Sequence, residues 1–295
     1  MSREVSKLAL VFVMLALVAV LSTTTYGASH MVFSMEDKVG DDCGAGGITY
    51  PDHEVFEPGL FDLENVNIWY DEHNTYYDIS FVKVTNPWNA PEGFFHQLID
   101  IYIDAEPGGH IVPAAPGPGV QFSPDAGWEY RLRIQPWGGS RWLDARLDPA
   151  QVHSIAASVL PDGKTIRAIV PTEAAPYPER TWQYYVLVGG FDSFGPDQYR
   201  VVEKTRSKWS FGGGRRANSP NVIDLLDSGR GKKSQTSQLS IEGLSEEEYP
   251  ILLPVSQGLS LPFTNVHLAA SFAVLVLLGG IFYTIFRWQP SKVDQ

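Results

Sequence analysis

Residues 61–84, FDLENVNIWYDEHNTYYDISFVKV, alternate apolar and polar side chains on either side of a polar break. Val66, Ile68 and Tyr70 share one parity. Tyr77, Ile79 and Phe81 share another, and Asp71-Glu72-His73-Asn74 lies between the two runs. A period of two places every second side chain on one face of a strand, so the segment predicts a β-hairpin with one apolar face. Further β-rich runs follow at 97–104, 129–135, 153–160, 165–170 and 182–189, and Pro161-Asp162-Gly163-Lys164 predicts a tight turn between two of them. Proline and glycine recur too often to leave room for a long 3.6-residue periodicity. The reading is an all-β, antiparallel two-sheet sandwich.

Outward from that core, the ends of the chain read differently. Residues 8–21 form a short apolar run after Arg3 and Lys7, followed by a small, polar stretch. That is the pattern of a secretory signal, with cleavage expected near Ala28. Residues 266–286 contain no Asp, Glu, Lys or Arg and are followed by Arg287 and Lys292, which predicts a single transmembrane helix with its C-terminus inside. The expected organisation is a signal peptide at 1–28, a disordered exit at 29–36 and the β-sandwich at 37–214. A partly ordered extension and flexible stalk at 215–262, the membrane helix at 266–286 and a cytoplasmic tail at 287–295 complete it. Leu261-Pro262-Phe263-Thr264-Asn265 approximates a sorting signal, or simply ends the stalk and caps the helix. The expected location is the cell membrane, with the main domain outside.

A net charge of −12 argues against nucleic acid, because there is no excess of Lys and Arg to neutralise phosphates. Cys43 is the single cysteine, so no intrachain disulfide can form and the core itself must hold the domain.

Two kinds of residue suggest binding. Asp37, Asp41 and Asp42 crowd a loop that continues Cys43-Gly44-Ala45-Gly46-Gly47, either a site for a hard cation such as Ca²⁺ or a solvated acidic turn. Among the tryptophans, Trp69, Trp128, Trp182 and Trp209 sit in β-rich or apolar surroundings and are expected in the core. Trp137 and Trp142 flank Gly138-Gly139-Ser140-Arg141 in what is expected to be a loop, Trp88 sits in the loop 86–92, and these three are candidate sugar platforms, with Arg141 beside them. Catalytic signatures are missing: no His-Glu-x-x-His pair, no Gly-x-Ser-x-Gly elbow, and no carboxylate pair singled out beyond a bare Asp100 and Glu129. Phe211-Gly212-Gly213-Gly214-Arg215-Arg216 lacks the strand-to-helix context and terminal Lys-Ser or Lys-Thr of a phosphate loop. His30, Met31 and Met35, the residues that would tempt a haem reading, fall in the expected exit segment.

The acidic loop, then Phe56, Pro58-Gly59, Phe61-Asp62-Leu63, Asn86-Pro87-Trp88, Asp100-Ile101-Tyr102-Ile103-Asp104 and Trp209-Ser210-Phe211-Gly212-Gly213-Gly214, occur in an order that resembles the glucodextranase C-terminal domain family. The resemblance spans residues 37–239. Lys38 stands where proline is expected, and Cys43 at a variable position. It implies a DOMON-like β-sandwich, related to carbohydrate-binding modules, that attaches to a cell surface or binds polysaccharide without hydrolysing it. With it, the expectation becomes a structural Ca²⁺ on Asp37, Asp41 and Asp42, with Asp62 as a fourth candidate ligand. Glycan, an α-glucan in view of the family's enzymes, would contact Trp88, Trp137, Trp142 and Arg141. The alternatives are a structural envelope protein with a protein partner and, less favoured, an extracytoplasmic glycosidase or redox accessory subunit.

Overall fold

The computed structural model describes residues 29–216 and 219–257, which belong to one compact unit ending at Gln257. The expected signal, sorting-like motif, membrane helix and tail lie outside the described residues. Among the described residues, no helix is long and apolar enough to cross a membrane.

The strands are β1 (His30–Glu36), β2 (Leu63–Tyr70), β3 (Asn74–Phe81), β4 (Gln97–Asp104), β5 (Gln121–Phe122), β6 (Tyr130–Ile134), β7 (Arg141–Asp144), β8 (Gln151–Ser154), β9 (Ala156–Val159), β10 (Thr165–Pro171), β11 (Gln183–Gly190), β12 (Asp224–Leu225), β13 (Ile251–Leu252) and β14 (Val255–Ser256). One sheet runs β1-β2-β3-β10-β9. The other runs β12-β11-β4-β6-β7-β8, with β14 beside β11, and both are antiparallel. The hairpin read from residues 61–84 is β2 and β3, registered Ile68 to Tyr77 and Val66 to Ile79. The run 153–160 is divided between sheets, since β8 pairs with β7 and β9 with β10.

Between the sheets, Val66, Ile68, Ile79, Ile166 and Val170 meet Ile99, Ile101, Leu132, Val186 and Val188. Removing such side chains from water supplies roughly 25 cal/mol per Å² of apolar area, the main force holding a domain without a disulfide. The outer face of the larger sheet is also covered. Tyr102, Tyr185 and Leu187 pack there against Phe122, Trp128, Val222, Leu225, Leu239 and Leu252.

Two expectations change. The segment 29–36, expected to be disordered, contains β1 (His30–Glu36), because Val32 and Phe33 enter the core while the backbone pairs with β2. Much of the expected stalk is also part of the domain. Residues 219–257 lay Val222, Leu225, Leu239 and Leu252 over the larger sheet, and Gln235–Gln238 makes one turn of helix.

Candidate functional site

A cleft of about 940 Å³ opens where three loops meet beside the larger sheet. Its aromatic lining comes from Trp88 in the loop between β3 and β4, Trp137 between β6 and β7, and Phe194 and Trp209 beyond β11. Trp88 is 40% exposed, Trp137 52%, Trp209 42% and Phe194 97%, so water still reaches the rings. Trp88 and Trp209 lie 6.3 Å apart between ring centroids. Trp88 also packs on Phe95 and Trp209 on His53, both at 4.3 Å. Gln135, Arg141, Asp192, Gln198 and Arg200 supply polar groups along the same cleft. Rigid aromatic faces with a few convergent polar groups are the usual makings of a small-ligand site.

The walls are held in costly backbone conformations. Asn89, Trp137, Asp197 and Gln198 are the non-glycine residues with positive φ among the described residues, at 56°, 61°, 44° and 64°. Three of them line the cleft and Asn89 follows Trp88. Such residues persist only where surrounding contacts over-determine them, and they gather at binding sites.

Those contacts are specific. Glu92 accepts the backbone N–H of Trp137 at 3.0 Å and of Gly138 at 2.6 Å. Asn86 brackets Ala90, accepting its N–H and donating to its carbonyl, each at 2.8 Å. Beneath the third wall, Asp100 is wholly buried on β4 and receives both Arg131 and Arg133 from β6, together with the Tyr199 hydroxyl at 2.7 Å. The same guanidinium groups reach Asp197, Arg131 at 2.8 Å and Arg133 at 2.7 Å. Burial works to lower the Arg131 pKa, but Asp100 and its neighbours outweigh it and hold the guanidinium protonated. Each buried charge thus has a partner of opposite sign. Next to Trp88 and Phe95, His96 is buried without a hydrogen-bond partner on either ring nitrogen. Burial, aided by the nearby Arg200 charge, depresses its pKa to about 4.

The acidic loop makes a second site. Asp37, just after β1, and Asp41 converge with Asp224 of β12, and one carboxylate oxygen from each lies within 4.8 Å of the others. Asp224 is wholly buried and accepts the backbone N–H of Leu63 at 2.7 Å and of Leu225 at 2.9 Å. Asp37 Oδ2 and Asp41 Oδ1 are buried and accept no hydrogen bond. Burial and the charge of Asp41 push Asp37 up to about 8, and burial with the Asp37 charge raises Asp224 well above the usual carboxylate range. Among the described residues, the exposed Lys38 forms an ion pair with Asp41 at 3.7 Å.

Of the residues expected from sequence, Trp88, Trp137 and Arg141 come together in the cleft. Trp142 does not: it lies on β7, is wholly buried, and packs against Tyr77 and Tyr130. Period two along β7 turns Trp142 inward while Arg141 faces the cleft. Trp209, expected in the core, is on the cleft rim: it packs edge-on against the buried Phe56 on one side and beside the exposed Trp88 on the other, so part of its ring stays in water. Among the acidic candidates, Asp37 and Asp41 meet. Asp42 instead accepts the Tyr50 hydroxyl, and both oxygens of Asp62 accept the Gly40 N–H at 2.9 Å. Burial, with repulsion from Asp42 and Asp41, raises Asp62 to about 6. Asp224 was not legible from sequence, since nearly the whole domain separates it from Asp37. Asp100, named with Glu129 as a bare carboxylate pair, is ion-paired with both Arg131 and Arg133. His30 stacks on Tyr70 at 5.0 Å, and Met35 packs against the core.

The sequence profile of a family described as the C-terminal binding module, SLH-like, of glucodextranase matches residues 32–254. No curated protein matches the chain.

Proposed function

Because the chain belongs to this family of glucodextranase C-terminal binding modules, a binding domain and not a catalytic one, we propose that it binds polysaccharide in the cleft of Trp88, Trp137 and Trp209. The observation that carries the reading is the convergence of three half-exposed tryptophans from three separate loops on one cleft. Sugar rings present apolar C–H faces that stack on indole, and covering such rings recovers apolar area still in water. Arg141, Gln135, Gln198 and Asp192 stand where ring hydroxyls would need partners. The family's enzyme makes an α-glucan the first ligand to try. The expected signal and membrane helix would tether the domain at the outer surface of a membrane.

Isothermal titration with linear α-glucan oligosaccharides tests the reading. Trp88→Ala, Trp137→Ala and Trp209→Ala should each weaken binding about tenfold, about 1.4 kcal/mol, with little change in melting temperature. A wild-type domain that binds no glucan at millimolar concentration would favour an envelope protein whose exposed aromatics meet a protein partner.

The acidic site supports a further reading, that a divalent cation such as Ca²⁺ ties Asp37 and Asp41 to Asp224. The supporting observation is the pair of buried carboxylate oxygens without partners, Asp37 Oδ2 and Asp41 Oδ1. Hard cations take oxygen ligands, and a bound cation would keep these carboxylates ionised. Its role would be structural, joining the exit from β1 to the C-terminal segment. Melting with calcium and with chelator, alongside elemental analysis, tests it.

A further inference from the structure

We propose that Glu92 is a positioning residue that fixes the spacing of two aromatic stations, Trp88 and Trp137, so that the cleft takes a run of several linked sugar rings in preference to a single ring or pair. This rests on the polysaccharide reading of the same cleft. Glu92 shares the loop between β3 and β4 with Trp88, whose own turn is closed by the Asn86 bracket around Ala90. Its backbone carbonyl accepts the Val159 N–H at 2.9 Å, which ties the loop to β9. Its carboxylate crosses to the neighbouring loop and accepts two successive N–H groups, Trp137 at 3.0 Å and Gly138 at 2.6 Å.

Those two residues have φ of 61° and 67°, left-handed values that a tryptophan adopts only under constraint. Two N–H groups aimed at one carboxylate are charge-assisted, and they supply that constraint. On its other side the Trp137 loop is closed by Ser140, which accepts the Gln135 N–H at 3.1 Å and donates to the Gln135 carbonyl at 3.0 Å. Among the described contacts, the Glu92 carboxylate is the hydrogen-bonded link between the Trp88 loop and the Trp137 loop. Without it each tryptophan keeps its own loop but loses its fixed distance from the other. A chain stacked on both rings needs that distance, whereas a ligand on one ring does not.

The experiment compares wild type, Glu92→Gln and Glu92→Ala for binding of a linear α-linked glucose heptamer and the corresponding dimer, with amide hydrogen exchange of Trp137 and Gly138 in the same proteins. Glu92→Ala should weaken heptamer binding about tenfold and dimer binding less than twofold, and speed exchange at both amides, with the melting temperature nearly unchanged. Glu92→Gln, whose amide keeps one acceptor oxygen, should fall between and serves if the alanine variant folds poorly. Equal losses for heptamer and dimer, or unchanged affinity and exchange in both variants while wild type binds, would overturn the positioning role alone. A wild type that binds neither oligosaccharide would overturn the reading of the cleft and this inference with it.

Discussion

Two aspartates, Asp100 and Asp224, are equally and wholly buried in this domain, yet their surroundings are opposite. Asp100 meets two guanidinium groups and a tyrosine hydroxyl, and the Asp197 carboxylate balances the second positive charge. Asp224 meets two backbone N–H groups and two further carboxylates, with a single exposed lysine nearby. The first cluster is neutral as it stands and anchors a wall of the cleft. The second carries excess negative charge that must be met by protons or by a cation. Burial alone therefore does not say whether a carboxylate's charge is already balanced; the groups around it do.

The largest effect should come from breaking the balanced cluster. Asp100→Ala leaves Arg131 and Arg133 buried and short of a partner, and removing one member of a buried ion pair costs about 3–5 kcal/mol. Denaturant unfolding measures it. A loss below about 1 kcal/mol would mean that the cluster does not anchor the cleft wall.

Next in size is cation removal from the unbalanced cluster. A ligand at a hundredfold excess over its Kd stabilises the native state by about 2.7 kcal/mol, so melting should fall on chelation, and Asp224→Asn should abolish the difference. The pH dependence has a definite sign. Asp37 is raised from 3.8 to about 8, chiefly by burial and then by Asp41, so its proton is held more tightly folded than unfolded. Its contribution is complete below pH 3.8 and is lost as pH rises through about 8. The chelated domain should therefore lose stability across that window, while the gain from added calcium grows. A chelated protein as stable at pH 8 as at pH 5 would remove the charge imbalance from the account.

The smallest effect should be that of Lys38→Met. An exposed ion pair at 3.7 Å contributes about 0–1 kcal/mol, so the melting curve should barely move. A loss as large as that of chelation would make Lys38 the cluster's counter-ion and bring the two aspartate sites closer together.

Much of this was legible in the sequence. The alternation in residues 61–84 determined β2 and β3, because a strand's faces follow from period two whatever lies opposite. The run 97–104 became β4, and the ordered motifs pointed to the family that the profile match then showed. Of the cleft, Trp88, Trp137 and Arg141 were found because tryptophan and arginine stand out among the small and polar residues of a loop. Trp142 and Trp209 were exchanged, one in the core and the other on the rim. Alternation separates the two faces of a strand but does not say which face is covered, and apolar neighbours along the chain do not reveal whether they face water. Only tertiary structure decided that β1 completes a sheet and that residues 219–257 roof the larger one. It also brought Asp224 to Asp37 and Asp41, and Glu92 to the Trp137 loop. Local periodicity is a property of a few adjacent residues, whereas a site built from segments far apart exists only once the sheets have packed and brought their loops to one end.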